Sequence, residues 1–334
     1  MNNPEMYIVI TSIFAPTEAV RLFAQVSNAR LVVAGDRKSP PDWQCENVVY
    51  LSASDQEASP FHLAQMLPWN HYCRKMLGYL HAMSLGAQTI VDTDDDNIPK
   101  ADWAMPAFTG EFETSAAGLG FVNIYQSFTA QHIWPRGFPL DRVLSPAARL
   151  APDALVRQTV QVGVWQGLAD GDPDVDAIYR LTSNIPCVFD TRPPLVLASG
   201  TVCPFNSQNT AFRRELFALL YLPAFVTFRF TDILRGLVAQ PILWAAGYQL
   251  GFTGATVFQE RNPHDYLKDF ESEIPCYLYP EKILEIVNAA VGPAQSVADN
   301  LQAAYEALRR ESIVEDRELA LLARWLEDVR QISA

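Results

Sequence analysis

The stretch CRKMLGYLHAMSLGAQTIVDTDDDNIP, from Cys73 to Pro99, decides the fold. Its first part predicts a helix that Gly86 ends, because apolar side chains recur at helical spacing at Met76, Leu77, Leu80 and Met83. The apolar run 89–91 predicts a short buried strand, and three aspartates follow it directly: Asp94, Asp95 and Asp96. One helix-strand unit therefore ends in three adjacent carboxylates.

These three carboxylates lie just beyond the carboxyl end of a predicted strand, where open α/β sheets bind their ligands. Adjacent carboxylates repel one another, so the arrangement costs stability unless a cation neutralises it. Hard carboxylate oxygens suit Mg²⁺ or Mn²⁺, ions that commonly hold a diphosphate as a further ligand. A run of charge more often simply faces water. Its position after a buried strand favours a divalent metal site here.

Composition limits the class of protein. The chain has 334 residues, 49% of them hydrophobic, and a formal net charge of -13. This acidic balance argues against binding to nucleic acid or to an anionic membrane surface. The five cysteines show no metal-binding spacing, so we expect reduced and mostly buried thiols. No signal peptide and no apolar stretch of membrane-spanning length is evident, so we expect no membrane span and a cytoplasmic location.

The first hundred residues alternate between strand and helix patterns. Apolar runs predict strands at Tyr7–Thr11, 30–34 and 47–51, and Thr17 caps a predicted helix that reaches Val26. The segment 35–43 is predicted to be a loop because two prolines and a glycine interrupt it. This order predicts a doubly wound, largely parallel sheet with a nucleotide across its upper edge. No dinucleotide fingerprint or P-loop motif is present.

Several polar residues are candidates for binding that nucleotide. Asp36, after the second strand, is suited to a base or ribose, with a turn residue as the equally weighted alternative. Arg37, Lys38, Arg74 and Lys75 are suited to balancing diphosphate charge. For the last two, a solvated first helical turn is the alternative. A cation at a helix N-terminus opposes the helix dipole, which slightly favours a ligand-binding role.

The second half is less regular. We expect a strand over Gly118–Tyr125 and a loop-rich segment over Pro135–Pro152. Alternate aspartates between 170 and 176 flank Gly171 and Pro173, a turn that faces either an acceptor or open solvent. Farther along the chain, three amides lie among apolar residues and are expected to bond a ligand or the backbone: Asn206, Gln208 and Asn209. We place Asn209 in the donor site.

Two further candidates are Asp232 and His264. Asp232 and Arg235 share one face if their segment is helical, so Asp232 is either a general base or half of an intrahelical ion pair. His264 is either a metal ligand, a phosphate partner or a polar loop residue. After residue 280, a helical pattern of apolar residues predicts two amphipathic helices that cap the core, with self-association as the alternative use.

Six motifs in order resemble the STELLO-type glycosyltransferase-like family. They are AGDRKSPPDW, CRKMLGYLHAMSLGAQTIVDTDDDN, QGLADGDPDVDAIYRLT, PFNSQNTAF, TDILRG and QERNPHDYLKDF, and they span roughly residues 7 to 280. A weaker resemblance links CRKMLGYL, DTDDDN, NSQNTAF and TDILRG to the reversibly glycosylated polypeptides, which are UDP-arabinopyranose mutases. Plant members of the first family carry a membrane anchor and a large extra region that we do not see here, so no Golgi role is carried over.

Both resemblances imply a GT-A-like, Rossmann-like nucleotide-sugar-binding fold with a mixed central sheet and C-terminal helices. They also imply a bound Mn²⁺ or Mg²⁺, with Asp94, Asp96 and the later residue His264 as its ligands. Asp94 and Asp95 are in addition assigned to the donor site. Asp232 corresponds to a catalytic or acceptor-orienting carboxylate. We expect a catalytic domain over 1–280, with a nucleotide half to 125, and a helical extension over 281–334.

The function that the resemblance implies is metal-dependent transfer of a sugar from a nucleoside-diphosphate sugar, expected to be a UDP-sugar, to an unidentified acceptor. The alternatives are a nucleotide-sugar mutase or hydrolase and an inactive nucleotide-sugar-binding scaffold. A mutase needs an arginine to carry the sugar transiently, and no motif places that arginine.

Overall fold

The computed structural model describes residues 5–260 and 264–333. The strands in this part of the chain are β1 (Met6–Thr11), β2 (Ala29–Ala34), β3 (Val48–Leu51), β4 (Thr89–Thr93), β5 (Asn97–Pro99), β6 (Thr109–Thr114), β7 (Gly120–Phe121), β8 (Val156–Gly171), β9 (Leu195–Leu197), β10 (Thr201–Val202), β11 (Asn209–Arg213) and β12 (Gln249–Gln259). The α-helices are α1 (Glu18–Phe23), α2 (Ala53–Glu57), α3 (Lys75–Ser84), α4 (Ala177–Thr182), α5 (Thr231–Ala245), α6 (Tyr266–Leu278), α7 (Pro280–Ala290), α8 (Val297–Arg310) and α9 (Asp316–Ser333).

Ten strands form one mixed sheet in the order β3-β2-β1-β4-β11-β8-β6-β9-β12-β5. Strands β3, β2, β1 and β4 are parallel, and β11 adds antiparallel to β4. The long strand β8 pairs with β6 along its first part and with β12 along the rest. This mixed sheet with C-terminal helices is the architecture expected of a GT-A-like fold. The strand and helix patterns of the first hundred residues correctly predicted the parallel part of the sheet, which is formed by β1 to β4.

The predicted elements of the first half are confirmed, with ends shifted by a few residues. Helix α1 begins where predicted because the Thr17 side chain accepts a hydrogen bond from the Val20 N–H, but it ends at Phe23. Helix α3 and strand β4 match the deciding stretch, and Gly86 ends the helix with a φ of +88°. Such a φ suits glycine because it has no Cβ.

The strand predicted over Gly118–Tyr125 is wrong. Only Gly120–Phe121 is extended, and Ile124–Ser127 form a 3-10 turn instead. Gly118 and Gly120 both have positive φ, a conformation that interrupts an extended strand. Leu119 is exposed, but Phe121, Val122, Ile124 and Tyr125 are nevertheless buried, because irregular backbone can also contribute to a core.

From residue 280 to residue 333 the structure has three α-helices where two were predicted: α7 is the additional one, and α8 and α9 pack on the core as predicted. Their apolar stripes are buried at Leu301, Tyr305, Leu308, Leu322, Trp325 and Leu326. Glu318 on α9 accepts hydrogen bonds from the Ala224 and Phe225 N–H groups at 3.1 and 2.8 Å. Packing of α9 against α3 connects it to the deciding stretch. The proposed division into domains stays a prediction.

All five cysteines are free thiols, and four of them are buried, as expected. Among the helices of the described residues, none combines the length and apolarity needed to cross a membrane.

Candidate functional site

A cavity of about 240 Å³ lies at the carboxyl edge of the sheet. Strands β1, β4, β8 and β12 run in the same direction, so residues at or beyond their ends meet there. Because β11 runs the opposite way, the residues that precede it come to the same edge. The cavity is lined by Thr11, Tyr72, Asp94, Asp95, Asp96, Arg136, Asp174, Asn206, Gln208, Phe228, Arg229, Asp232, Gln259 and His264.

The acidic triplet, Asp94 to Asp96, forms one wall of the cavity, but its three carboxylates have different partners. Asp94 Oδ1 accepts from Lys75 Nζ at 2.8 Å, and Asp95 accepts from the Ser12 hydroxyl. Asp96 Oδ2 accepts from Gln259 Nε2 at 3.1 Å, whereas its buried Oδ1 has no hydrogen-bond partner among the described residues. Burial, together with Asp96 and Asp92, raises the pKa of Asp94 to about 7 even though Lys75 opposes this.

A buried ion cluster of Lys75, Asp92 and Arg235 lies directly beneath the triplet. Lys75 Nζ donates to Asp92 Oδ1 at 2.7 Å and to the Thr93 carbonyl at 2.6 Å, and Arg235 donates to Asp92 Oδ2 at 2.7 Å. Burial alone would lower the pKa of Lys75, but Asp92 and Asp94 raise it above its ordinary value. Burial opposes ionisation of Asp92, yet Lys75 and Arg235 hold its pKa below the usual range. Lys75, Asp92 and Arg235 are therefore charged together.

A second cluster joins Arg136 to Asp174 and Asp232. Arg136 donates to both carboxylate oxygens of Asp174 at 2.9 and 2.8 Å, and to Asp232 at 3.0 and 3.1 Å. Asp232 Oδ2 also accepts from the Ser207 N–H at 3.2 Å, and Oδ1 from the Ile233 N–H at 3.1 Å. Each oxygen of Asp232 thus already has two donors, so an acceptor hydroxyl must displace one of them to reach it.

The sequence suggested an ion pair between Asp232 and Arg235 as the alternative to a catalytic role. Both lie on α5, but Asp232 pairs with Arg136 while Arg235 pairs with Asp92. Asp232 lines the cavity, and its assignment as a base stays a prediction.

Asp36 lies outside the cavity lining. Its Oδ1 accepts from the Asn70 N–H at 2.8 Å and its Oδ2 from the His71 N–H at 3.1 Å, and Oδ1 also accepts from the Arg37 N–H. Asn70 adopts a positive φ of 54°, so Asp36 stabilises a strained turn immediately before α3. In this structure Asp36 performs the turn role that was weighed as its alternative.

Three of the cations predicted to bind the diphosphate also lie outside the cavity lining. Arg74 is buried, donates to Gln56 Oε1 at 2.6 Å and to the Leu67 carbonyl, and stacks on Trp69. Arg37 pairs with Glu57 in solvent at 3.0 Å, and Lys38 is exposed. None of these three cations is among the residues that line the cavity.

The three predicted amides are all buried, and two of them line the cavity, Asn206 and Gln208. Asn206 Nδ2 donates to Asp174 at 2.8 Å, and the Gln208 side chain donates to Gln259. Asn209 instead bonds Thr256 and Trp103 inside the sheet. The donor-site assignment of Asn209 therefore has no support from its position.

The run of aspartates between 170 and 176 is not an open surface corner, because three of the four are buried. Asp174 lines the cavity, whereas Asp176 caps α4 by accepting from the Tyr179 N–H at 2.8 Å. Asp170 accepts from Lys100 at 2.6 Å, and Asp172 pairs with Arg180. One aspartate of the run therefore faces the candidate site.

His264 lines the cavity, as predicted, and its Nδ1 lies 3.1 Å from Asp269 Oδ2. Within residues 5–260 and 264–333, no three His, Cys, Asp or Glu side chains form a group that could hold a metal ion. Mg²⁺ is commonly held by one or two carboxylates together with substrate phosphates. Asp96 Oδ1, which lies beside Asp94 and has no partner in the part of the chain that the structure describes, fits a cation of that kind, with only part of its ligands from the protein.

Several cavity residues were not among the predicted site residues. Arg136 belongs to a loop whose Gly137 has a φ of +82°, and Gln259 ends β12 and begins one of the quoted motifs but was assigned no role. Phe228 and Arg229 belong to a short 3-10 turn before α5. Their importance depends on contacts with distant segments, which no local pattern encodes.

Comparisons with known proteins agree with the resemblance that the sequence motifs indicated. A family model described as STELLO glycosyltransferases matches residues 229–334. The chain is 25% identical over 351 residues to "Probable glycosyltransferase STELLO1" of Arabidopsis thaliana, with 97% of this chain and 44% of the relative covered. It is 29% identical over 266 residues to "Probable glycosyltransferase STELLO2" of the same plant, with 73% and 34% covered. The chain spans less than half the length of these relatives. These matches confirm the resemblance to the STELLO-type glycosyltransferase-like family.

Proposed function

We propose that this protein transfers a sugar from a nucleoside-diphosphate sugar, with a UDP-sugar as the expected donor, to an acceptor hydroxyl in a reaction that requires Mn²⁺ or Mg²⁺. The observation that carries the proposal is the buried Oδ1 of Asp96, which has no hydrogen-bond partner within residues 5–260 and 264–333, in a cavity that Asp94 also lines. A buried carboxylate oxygen without a donor is costly, and a bound cation would remove that cost.

The charge of the cavity supports the need for a cation. Among the residues that the structure describes, the lining contains five aspartates and two arginines, a formal excess of three negative charges. Both arginines are already ion-paired, Arg136 with Asp174 and Asp232, and Arg229 with Glu273 at 2.8 Å. A diphosphate entering this cavity alone would be repelled. Asp94 and Asp96 would hold the cation, with His264 as the further predicted ligand, and the cation would neutralise charge on the leaving diphosphate.

The protein groups have separate tasks in this proposal. Lys75 orients Asp94 and Gln259 orients Asp96, each through the hydrogen bond described above. The acceptor oxygen bonds the anomeric carbon as the bond from that carbon to the diphosphate breaks. The hydroxyl proton passes to a base, for which Asp232 is the predicted residue once a donor to its carboxylate is displaced.

Calorimetric titration tests the donor site. A panel of nucleoside diphosphates and their sugars is titrated into wild type, Asp96→Ala and Asp153→Ala, each with Mn²⁺ and with EDTA. Asp153 is exposed and remote from the cavity lining, so its variant makes the same change in charge. We expect one nucleotide to bind to wild type and Asp153→Ala with Mn²⁺ only, and not to Asp96→Ala.

Two results would contradict the proposal. Binding that is unaffected by EDTA and by loss of Asp96 would refute the metal-dependent donor site. No binding of any nucleotide would refute the donor site, and with it the nucleotide-sugar-binding scaffold, and would leave a scaffold of the same fold that binds no nucleotide as the better account. Conversion of the bound donor without an added acceptor would instead indicate a mutase or hydrolase.

A further inference from the structure

Phe228 is an exposed aromatic residue in the wall of a mostly polar cavity, next to Tyr72. Its side chain is 57% exposed, whereas its near neighbour Phe230 is buried in the core. A single exposed apolar residue on a convex surface is ordinary, but one that lines a concave polar cavity is available to a ligand. The phenyl ring therefore offers an apolar contact inside the candidate site.

The position of Phe228 is fixed from both sides. Thr227 Oγ1 donates to the Ser272 carbonyl at 2.6 Å, and the Arg229 N–H donates to Ser272 Oγ at 3.2 Å. The Phe228 ring also packs edge-on against Tyr72, with centroids 5.9 Å apart and planes at 72°. Side chains anchored in this way lose little entropy when a ligand binds.

The charges near Phe228 are neutralised within the protein. Arg229 Nε donates to Glu273 at 2.8 Å, and Arg136 is held between Asp174 and Asp232. Both arginines are already ion-paired, and although Arg229 Nη2 makes no hydrogen bond to the described residues, an anionic acceptor would have to compete with Glu273, Asp174 and Asp232 for them. The oxygens of Asp174 and Asp232 are hydrogen-bond acceptors that suit neutral hydroxyl groups, once a hydroxyl displaces one of the donors that they already have.

We propose that Phe228 forms an acceptor subsite for a neutral saccharide, with the C–H face of a sugar ring against the phenyl ring and its hydroxyls toward Asp174 and Asp232. A sugar has both an apolar face and a ring of hydroxyls, which is the combination that this wall offers. This inference rests on the proposed function and names the class of its acceptor.

The test uses the full chain with Mn²⁺ and the donor that calorimetry selects. The acceptors are methyl glycosides of glucose, galactose, mannose and xylose, and disaccharides of the same sugars. Donor hydrolysis and transfer are measured separately for wild type, Phe228→Ala, Phe228→Tyr and Phe270→Ala. Phe270 is an exposed phenylalanine on α6 outside the cavity lining, so it is the matched control.

We expect Phe228→Ala to raise the acceptor KM about tenfold, the size of effect typical of losing an aromatic contact. The donor KM and the hydrolysis rate should change less than about twofold, because the subsite does not contact the diphosphate. Phe228→Tyr should restore the acceptor KM, and Phe270→Ala should leave it unchanged.

Three outcomes would overturn the subsite. A rise in donor KM with an unchanged acceptor KM would show that the ring stacks on the nucleobase instead. An equal effect in Phe270→Ala would show that the change is not local. Transfer to hydroxyl peptides or lipids, with all saccharides refused, would refute the acceptor class.

Failure of the proposed function gives a different result, which is absence of donor binding and turnover in wild type. The subsite is then judged by calorimetric titration of the same saccharides without donor. Binding to wild type but not to Phe228→Ala would support it, and no binding to wild type would refute it.

Discussion

Lys75 Nζ lies 2.8 Å from Asp94 Oδ1 and 2.7 Å from Asp92 Oδ1, so one fully buried ammonium connects the body of β4 to the acidic triplet beyond it. Its cation lets Asp94 remain close to Asp96 and Asp92 in a buried setting. Lys75 therefore orients a candidate metal ligand through the protein interior. Arg235 also pairs with Asp92, but none of its described contacts is with Asp94.

This difference allows a matched comparison of Lys75→Gln and Arg235→Gln. Each variant replaces a buried cation by an amide next to Asp92, so each should lower the free energy of unfolding by about 2–4 kcal/mol. Only Lys75→Gln removes the cation from Asp94, and we expect it to weaken Mn²⁺-dependent nucleotide binding about tenfold, against less than about threefold for Arg235→Gln. Urea unfolding and calorimetry measure the two effects. Equal losses of binding would show that Lys75 has only a structural role.

Asp232→Asn tests whether the carboxylate next to Arg136 is a base. A base lost from the transition state should reduce the transfer rate by about 10²–10⁴-fold, with donor binding retained. Asp174→Asn is the comparison, because Asp174 pairs with the same guanidinium and lines the same cavity. If Asp232 acts only through the ion pair, the two variants should lose similar activity. Transfer at the wild-type rate in Asp232→Asn would remove it from the mechanism.

The sequence predicted those features whose causes are local. The helix before β4 depends on the spacing of its own apolar residues, and its end depends on Gly86. Both signals lie within a few residues of what they determine. The position of the acidic triplet was predictable for the same reason, because the three aspartates directly follow the end of β4 in the chain.

The pairing of charges was not predictable, because its partners are far apart in sequence. Arg136 and Asp232 are separated by 96 residues, and Asp92 and Arg235 by 143. Asp36 shows a different difficulty. A carboxylate at a strand end is equally suited to a ribose or to the N–H groups of a turn, and only the fold showed that Asn70 and His71 occupy it. The chemistry of a side chain restricts which partners it can have, but only the fold determines which of them it contacts.

Asp328→Ala should show how strongly the last helix stabilises the domain. Its Oδ1 accepts from the His62 N–H at 3.0 Å and its Oδ2 from the Leu63 N–H at 2.8 Å, and the carboxylate is fully buried. We expect a loss of about 2–4 kcal/mol in the free energy of unfolding, because the buried Leu63 N–H and the partly buried His62 N–H both lose their partner. Glu327→Ala makes the same change in charge one residue earlier.

The control should cost less than about 1 kcal/mol, since the Glu327 side chain is 41% exposed and pairs only with Arg324 among its described contacts. Urea unfolding at neutral pH gives both values. Similar losses in the two variants would show that α9 is stabilised by general charge effects and not by the cap at His62.

Asp176 should make stability depend on pH. It is fully buried, and burial raises its pKa to about 6, although hydrogen bonds from Tyr179 and Trp134 oppose this shift. The folded pKa lies above the ordinary value of 3.8, so between these values the folded state binds more protons than the unfolded state. Its contribution to stability is therefore largest below pH 3.8 and is lost as the pH rises through about 6.

The comparison of wild type with Asp176→Asn isolates this contribution, because other titrating groups are common to both proteins. Wild type should gain about 1 kcal/mol relative to the variant when the pH falls from 7.5 to 5, whatever the fixed cost of losing the Trp134 hydrogen bond. Urea unfolding at the two pH values measures the change. A difference between the proteins that stays constant over this range would show that Asp176 keeps an ordinary pKa, and that the hydrogen bonds from Tyr179 and Trp134 outweigh its burial.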